Sequence, residues 1–411
     1  MPMKKDNLIY LNNNEIKIEK TGENEPKRKI NIAKIVGVTI IFVLILAVII
    51  MYFIYANNEQ VRAYIDENIL SKEVEENSLN KILLDDYDKS TIFAYQNKIM
   101  ILNGTKLYQY NTSAKEENKL DVEISSPISA INGEFFVLAE KNGSKLYMIK
   151  DEKIEWTKTI EGQIEKVNVN EFGYTTVIVT GTIDKSVIIL YNEVGEELFK
   201  NHLSTNTAID ATVSKDNKYL AYAELNTSGT IIQSNIKIID IEKARKKVSD
   251  STILTYKADS GDLILKVEYQ NNNNLVCLYD NKICIIKDGK NEKLASYIGE
   301  NGNATFVSIN FNNNSMIIEE STESLFSTVS KVKLLNSTNK KENTYTFEGV
   351  AKNIYTAKNK IAINLGSEIH FIDTNGWLIK KYTTKQEARN IVISDKIAGI
   401  VYRDKIEIIK L

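Results

Sequence analysis

The residue types that most often carry catalysis or bind metals are scarce in this sequence. It contains two cysteines, Cys277 and Cys284, and two histidines, His202 and His370. A usual zinc site needs four such ligands together, and a nucleophilic triad needs a histidine beside an activated serine or cysteine. The histidines are far apart in the sequence, and no G-x-S-x-G nucleophile motif occurs. We therefore expect no catalytic residue, no metal site and no enzyme activity.

The two cysteines flank a short turn at Asp280 and Asn281. In a two-residue hairpin Cys277 would face Cys284, with Cα atoms about 5.5 Å apart, which is within disulfide range. Side chains at such hydrogen-bonded positions are less well aimed at each other. Both a disulfide and a pair of buried thiols therefore stay open.

Other chemical motifs are weak or absent. Asp85, Asp86 and Asp88 offer oxygen ligands for Ca²⁺, but they lack the glycine and distal glutamate of a calcium loop, and a solvated strand end explains them better. Neither a P-loop nor G-x-G-x-x-G occurs, and we expect no cofactor. With 52 basic and 54 acidic residues, the chain has no basic excess to bind nucleic acid.

One apolar segment predicts a membrane anchor. Residues 35–55 read IVGVTIIFVLILAVIIMYFIY without a charge, and as a helix they would be about 30 Å long, the thickness of a bilayer core. The run is longer than that of a cleaved signal peptide, and no small-residue cleavage site follows. We predict an uncleaved signal-anchor helix over residues 35–56.

The charges around this segment predict its orientation. Basic residues precede it and mostly acidic residues follow it: Lys27, Arg28, Lys29 and Lys34 before, and Glu59, Asp66 and Glu67 after. The positive-inside rule then places the N-terminus in the cytoplasm and the rest of the chain outside a single-pass cell membrane anchor. The cytoplasmic tail, residues 1–34, is expected to be disordered.

Residues 57–80 predict a short helical stalk. Val61, Ile65 and Ile69 recur at the spacing of one helix face. In one interpretation the helix is a spacer whose apolar stripe packs on the following domain or on lipid. In the other, the stripe forms a dimer interface with a second copy of the chain. It is too short for a sustained coiled coil.

Residues 81–411 predict an all-β domain, because short β-runs alternate with Asn, Asp and Gly turns. Three patterns recur: residues 103–108 and 142–147, residues 278–286 and 401–409, and residues 191–200 and 372–380. A period of about 40–45 residues with four strands is typical of a β-propeller blade. The sequence therefore favours a β-propeller over a sandwich.

We predict eight blades, with seven as the alternative. The units begin near Thr91, Pro127, Ile164, Ala208, Asp262, Ala304, Val350 and Ala388. The last unit has only three strands, so an early strand within residues 81–86 is expected to complete it. Such closure would remove the raw edges of the first and last blades.

The repeats carry a resemblance to known propellers. The stretches from Asp151 to Trp156 and from Tyr191 to Gly195 resemble degenerate quinoprotein-type repeats. The basic tail, single helix, acidic stalk and the repeat in residues 369–378 together resemble a family of membrane-anchored propellers, with a domain of unknown function, from low-GC Gram-positive bacteria. That family implies the fold but no established activity.

A quinoprotein enzyme is the least favoured function. Quinoprotein dehydrogenases are rich in tryptophan, whereas this chain has only Trp156 and Trp377. Both lie in repeat positions that are expected to pack between blades.

Two long hairpin tips stand out from the scaffold. One includes Ile231 and Ile232, and the other includes Leu325 and Phe326, in each case among serines and threonines. On alternate blades these tips would emerge on one face and offer apolar contacts, as interaction patches do. The alternative is that the four residues fold back onto their own blades.

We therefore expect an extracytoplasmic, membrane-anchored propeller that acts as a non-enzymatic protein-interaction module at the cell envelope. Its partner would be an unknown envelope protein. The alternative is a sensor that binds a small molecule or a cell-wall polymer in the propeller channel, which would require a concave site with convergent polar groups.

Overall fold

The computed structural model describes residues 32–70, 72–74, 79–270, 274–287, 289–298, 304–324 and 327–411. The chain divides into two compact units, residues 1–63 and 64–411. Helix α1 (Ile32–Asn57) contains the uncharged run, and its segment Val36–Asn57 is long and apolar enough to cross a membrane. Helix α2 (Glu59–Asn68) occupies part of the predicted stalk. Nearly all of the predicted disordered tail lies outside the described residues.

The strands that follow form eight sheets, which we number as blades 1 to 8 in chain order. Two short strands precede blade 1: β1 (Glu73–Val74) and β2 (Asn80–Leu83). Blade 1 contains β3 (Ser90–Tyr95), β4 (Lys98–Asn103), β5 (Lys106–Tyr110) and β6 (Glu116–Asp121), and blade 2 contains β7 (Pro127–Asn132), β8 (Phe135–Glu140), β9 (Lys145–Lys150) and β10 (Lys153–Thr159). Blade 3 contains β11 (Gln163–Val169), β12 (Thr175–Thr180), β13 (Ser186–Tyr191) and β14 (Glu197–Leu203). Blade 4 contains β15 (Asn206–Val213), β16 (Tyr219–Asn226), β17 (Gln233–Asp240) and β18 (Thr252–Lys257). Helix α3 (Ile241–Arg245) lies between β17 and β18.

The second half of the domain repeats this plan. Blade 5 contains β19 (Ile264–Gln270), β20 (Asn274–Tyr279), β21 (Lys282–Lys287) and β22 (Lys290–Ser296), and blade 6 contains β23 (Phe306–Ser308), β24 (Asn314–Ser324), β25 (Ser327–Asn336) and β26 (Glu342–Glu348). Blade 7 contains β27 (Asn353–Thr356), β28 (Lys360–Asn364), β29 (Glu368–Asp373) and β30 (Leu378–Thr383). Blade 8 contains β31 (Asn390–Ile393), β32 (Ile397–Val401) and β33 (Lys405–Lys410). The prediction of an all-β propeller with eight blades is confirmed.

Strand β2 completes blade 8 and closes the ring. It pairs antiparallel with β33, so that sheet has the order β2-β33-β32-β31. The early closing strand predicted within residues 81–86 is thus confirmed, at Asn80–Leu83. Lys81 of β2 also pairs at 3.3 Å with the fully buried Glu407 of β33, and the Tyr382 hydroxyl of blade 7 donates to the same carboxylate at 2.5 Å.

Strand β1 is an addition that the repeat pattern did not predict. It pairs in parallel with β30 at the outer edge of blade 7, with Glu73 beside Lys381. Blade 7 therefore has five strands, and its outer edge is covered.

The core consists of layers between neighbouring blades. Among the described residues, apolar clusters fill all eight interfaces, including the interface of blade 8 with blade 1. The second and third strands are apolar on both sides because each side packs against another blade. All six residues of β13 are buried, for example, whereas the fourth strand β6 is mostly exposed.

Because consecutive strands of a blade are antiparallel, the connections between them lie alternately at the two ends of the ring. The connection between the second and third strands of a blade lies at the same end as the passage to the next blade. We call this end the crossover face; it includes residues 181–185 and 227–232. The opposite end, with residues 170–174 and 192–196, is the hairpin face.

On the hairpin face, turns that contain a glycine with positive φ pack closely against the neighbouring blade. Asn192 Oδ1 accepts hydrogen bonds from Val194 N and Glu196 N, and Gly195 has φ +81°. A Cβ atom at Gly195 would lie 2.8 Å from the ring of Trp156 in blade 2. Trp156 is 9% exposed and packs between blades, as predicted from the repeats.

Candidate functional site

A cavity of 710 Å³ lies on the axis of the propeller. All eight blades contribute to its walls, through their first strands or the residues directly after them. Ala94 of blade 1, Lys266 of blade 5 and Ile393 of blade 8 all line it, so the first strand is the innermost strand of each blade. The volume falls within the range of about 300–1,000 Å³ that is typical of small-molecule sites. The cavity has the concave shape that the channel hypothesis requires.

Blades 3 to 7 form a charged wall of this cavity. Lys166 of blade 3 pairs with Asp210 of blade 4 at 2.8 Å, and Lys358 of blade 7 pairs with Glu268 of blade 5. Both carboxylates are buried, with 1% exposure for Asp210 and 6% for Glu268. The backbone N–H of Val267 also donates to Asp210 at 3.0 Å. Buried carboxylates require such partners because an isolated buried charge is costly.

Lys266 places a third ammonium group near the two buried carboxylates. It donates a hydrogen bond to Asn310 Oδ1, and no ion pair joins it to any carboxylate of the described residues. Burial lowers the pKa of Lys266; the two carboxylates oppose this shift, and the other two lysines add to it. Burial alone would raise the pKa of Glu268, but Lys358 and Lys266 reverse the effect and hold it below its usual value. The wall therefore carries three cationic residues, Lys166, Lys266 and Lys358, and three anionic residues, Asp210, Glu268 and the exposed Glu165. Among the described residues, Lys266 is the ammonium group of this wall that no carboxylate contacts.

Blades 8, 1 and 2 form an uncharged wall. Ala94, Ser129 and Ile393 line it within the strands. The Ser394 hydroxyl donates to the carbonyl oxygen of Gln96 at 2.5 Å and joins blade 8 to blade 1. The charged lining residues of these three blades follow the strands, at the hairpin-face end: Glu134, Asp395 and Lys396. One side of the cavity is thus polar and charged, and the other side has small, uncharged side chains.

The charged wall was not predicted from the sequence. Its signal was present, because Lys166, Asp210, Lys266 and Glu268 all lie within the first strands of successive blades. A charged residue in the innermost strand of several repeats in a row indicates an axial polar site. Recognising that signal required the correct assignment of strands within each repeat.

The predicted apolar tip of blade 4 lies on the crossover face. Ile231 is 63% exposed and Ile232 is 49% exposed, so neither folds back onto its own blade. The other two predicted tip residues, Leu325 and Phe326, lie outside the described residues. The binding role of all four stays a prediction.

Three further apolar side chains are exposed on the same face. Ile183 lies between β12 and β13, Ile298 lies between blades 5 and 6, and Val350 lies between blades 6 and 7. All three are at least 49% exposed. They lie on connections of other blades and not on the tip that contains Ile231 and Ile232.

The histidines are held in arrangements unlike a nucleophilic triad. His202 Nδ1 and the Ser204 hydroxyl contact the two oxygens of Asp184, at 2.7 and 2.6 Å. Since the carboxylate lies between them, the histidine is not placed to accept a proton from the serine. His370 is buried against Tyr345, and burial lowers its pKa.

The predicted aspartate cluster has a structural role. Asp86 Oδ1 accepts a hydrogen bond from Asp88 N at 3.1 Å and caps the 3-10 helix Tyr87–Lys89. Asp86 also pairs with Lys89 at 2.9 Å. Within the described ranges, no group of three or more His, Cys, Asp or Glu side chains is arranged to hold a metal ion.

Cys277 and Cys284 face each other across β20 and β21, which confirms the predicted hairpin register. Both are buried and present as free thiols. Burial raises the pKa of Cys277 well above its ordinary value. A buried thiol with a raised pKa is a poor nucleophile.

The propeller is similar to solved structures of low sequence identity. The C-terminal WD40 domain of Sif2 aligns with a TM-score of 0.54 and 13% identity, over 83% of this chain and 99% of that one. BamB from Moraxella catarrhalis aligns with a TM-score of 0.46 and 12% identity, over 81% and 98% of the two chains. The WD40 domain of SCAP from fission yeast also gives 0.46, with 11% identity over 82% and 98%. At these identities, the Sif2 similarity shows the fold alone.

Among curated proteins, none matches the chain. A family of unknown function, DUF5711, matches residues 48–411. This range includes the end of α1, the stalk and the whole propeller. The match agrees with the family resemblance that the tail, helix and repeats predict. The chain is therefore a member of the DUF5711 family.

Proposed function

We propose that the chain is a non-enzymatic protein-interaction module that one membrane helix holds at the outer side of the cell membrane. The exposed Ile231–Ile232 pair is the observation that carries this proposal. Large apolar side chains on an exposed tip lose contact with water when a partner covers them, which stabilises a complex by about 25 cal/mol per Å² of buried apolar surface. The partner is an envelope protein with a complementary apolar patch.

The orientation rests on the charges around α1. Four basic residues lie within residues 27–34, before the uncharged run, and the first charged residue after the run is Glu59. Basic residues stay on the cytoplasmic side during insertion, and this rule supports a location of the propeller outside the cytoplasm. This location would make the crossover face available to other envelope proteins.

The non-enzymatic part of the proposal is supported by the side chains around His202. Its partner Asp184 also accepts a hydrogen bond from the Ser204 hydroxyl. In a catalytic triad the histidine, and not the carboxylate, would contact the serine hydroxyl. In the cavity, Lys166 pairs with Asp210 and Lys358 pairs with Glu268. Both arrangements suit binding and stability better than proton transfer.

The test is crosslinking in native membranes followed by identification of the captured proteins. We expect the wild type to capture one envelope protein, and the Ile231→Ser/Ile232→Ser double variant to lose at least about tenfold of that capture, as for a hot spot worth more than about 1.4 kcal/mol. The matched control is Phe172→Ser/Val194→Ser on the hairpin face, where the two residues are 49% and 70% exposed.

The control should capture the partner as the wild type does. Equal capture by the Ile231→Ser/Ile232→Ser variant, with an unchanged melting temperature, would contradict a role of this tip in binding. The same loss in both double variants would show an effect of apolar surface in general rather than of the crossover face.

A further inference from the structure

We propose that the charged wall of the axial cavity binds an oxyanion, a carboxylate or phosphate group on a small solute, through the ammonium group of Lys266. This site is separate from the Ile231–Ile232 tip. Either proposal can therefore fail without the other.

The first argument is the pairing of the charged groups. Lys166 and Lys358 each contact a buried carboxylate, Asp210 and Glu268 respectively. Lys266 has only the neutral Asn310 as a partner among the described residues. An ammonium group has three N–H donors, and Asn310 accepts one of them. An oxyanion in the cavity would accept from the others and give Lys266 the ion pair that the other two lysines already have.

The second argument is the environment of that ammonium group. Charge-assisted hydrogen bonds are stronger than neutral ones, and they are strongest where water is excluded. Burial and the two neighbouring lysines disfavour the charged form of Lys266, and this lowers its pKa. Anion binding would relieve this, because the ligand favours the protonated lysine. A cation would instead meet three ammonium groups, and the two buried carboxylates, Asp210 and Glu268, are already paired.

The third argument is the uncharged wall opposite, which determines what chemical groups the rest of the ligand can carry. Ala94, Ser129 and Ile393 offer small uncharged contacts there. The cavity volume of 710 Å³ has room for a solute well beyond a lone ion. The geometry suits a solute with one acidic group and an uncharged remainder. At the hairpin-face end, a long polyanion would meet two acidic residues of blades 2 and 8, Glu134 and Asp395, and one basic residue of blade 8, Lys396.

The first experiment measures the melting temperature of the full chain in a neutral detergent, with sodium phosphate or sodium acetate added at constant ionic strength. We expect a saturable rise with at least one of the two probes. Lys266→Met should weaken that binding at least about tenfold. Lys153→Met is the control, because it removes one positive charge from the exposed start of β10. A rise with phosphate alone assigns a phosphate ligand, and a rise with acetate alone assigns a carboxylate.

A second measurement requires no variant. The wild type is acetylated with a lysine-reactive ester, with and without the effective probe, and each lysine is followed by mass spectrometry. The probe should slow the labelling of Lys266 several-fold and leave Lys153 unchanged. The proposal is overturned if neither probe gives a saturable rise, if Lys266→Met binds as the wild type does, or if Lys266 is not protected.

Discussion

The turn at Gly195 explains at the residue scale why Asn192-x-x-Gly195 recurs in this chain, as Asn170-x-x-Gly173 and, with an aspartate, as Asp373-x-x-Gly376. The asparagine side chain closes the turn, and the glycine adopts a positive φ that other residues reach only at a cost. The glycine also lets the backbone approach the ring of Trp156 in the neighbouring blade. The pattern is therefore a packing device between blades, and it needs no cofactor to account for it.

Substitution of Gly195 tests this explanation. Gly195→Ala combines backbone strain with overlap onto Trp156, where a Cβ would lie 2.8 Å from the ring. We expect a loss of about 2–4 kcal/mol in the free energy of unfolding, measured with urea on the full chain. Gly104→Ala is the control, since Gly104 has φ +58° but a Cβ there would meet no atom within 4 Å. It should lose only about 1 kcal/mol. Equal losses would show that the contact with Trp156 contributes nothing.

The closing strand β2 is the element on which the ring depends. Its short sequence has one buried apolar side chain, Ile82, which is 4% exposed and packs with residues of blades 8 and 1. Its neighbour Leu83 points away and is 80% exposed. One strand of four residues thus joins the first part of the propeller to the last.

These two neighbours provide a matched pair of variants. Ile82→Ala should lower the free energy of unfolding by about 2–5 kcal/mol, because it leaves a cavity in the interface between blades 8 and 1. Leu83→Ala should stay within about 0.5 kcal/mol of the wild type. Urea unfolding of both variants in parallel gives the comparison. A small effect of Ile82→Ala would mean that the ring is held closed by other contacts.

The sequence predicted the elements better than the contacts between them. The blade period, the closing strand and the Cys277–Cys284 register all depend on local alternation and turn residues, which a sequence shows directly. The charged wall depends on how blades 3 to 7 converge on one axis, so Lys358 could not be recognised as the partner of Glu268. Strand β1 was also missed, because two residues at an outer edge carry no periodic signal.

At the scale of the whole molecule, the proposed function combines a membrane-anchored location outside the cytoplasm with two separate binding surfaces. The axial cavity would take a solute, and the crossover face would take a protein. An envelope partner can reach the crossover face only if the propeller lies outside the cytoplasm. Function therefore depends first on the orientation of α1.

Cysteine labelling in intact cells tests this orientation. Ser228→Cys places a thiol on the exposed tip between β16 and β17, whereas the native Cys277 and Cys284 are buried and give little background. A membrane-impermeant maleimide should label Ser228→Cys in intact cells. The control, Asn13→Cys in the tail, should be labelled only after the cells are permeabilised. The reverse pattern would place the propeller in the cytoplasm.

The pairing of β2 with β33 also sets an order of events during synthesis. Strand β2 leaves the ribosome early, yet its partner at Lys405–Lys410 is made only after the other blades. At about 5–20 residues per second, the intervening chain takes on the order of half a minute to synthesise. During that time β2 has no partner strand, and blade 1 has no neighbour on one side. The nascent protein therefore exposes this strand and this side of blade 1 to aggregation or chaperone binding until β33 has been made.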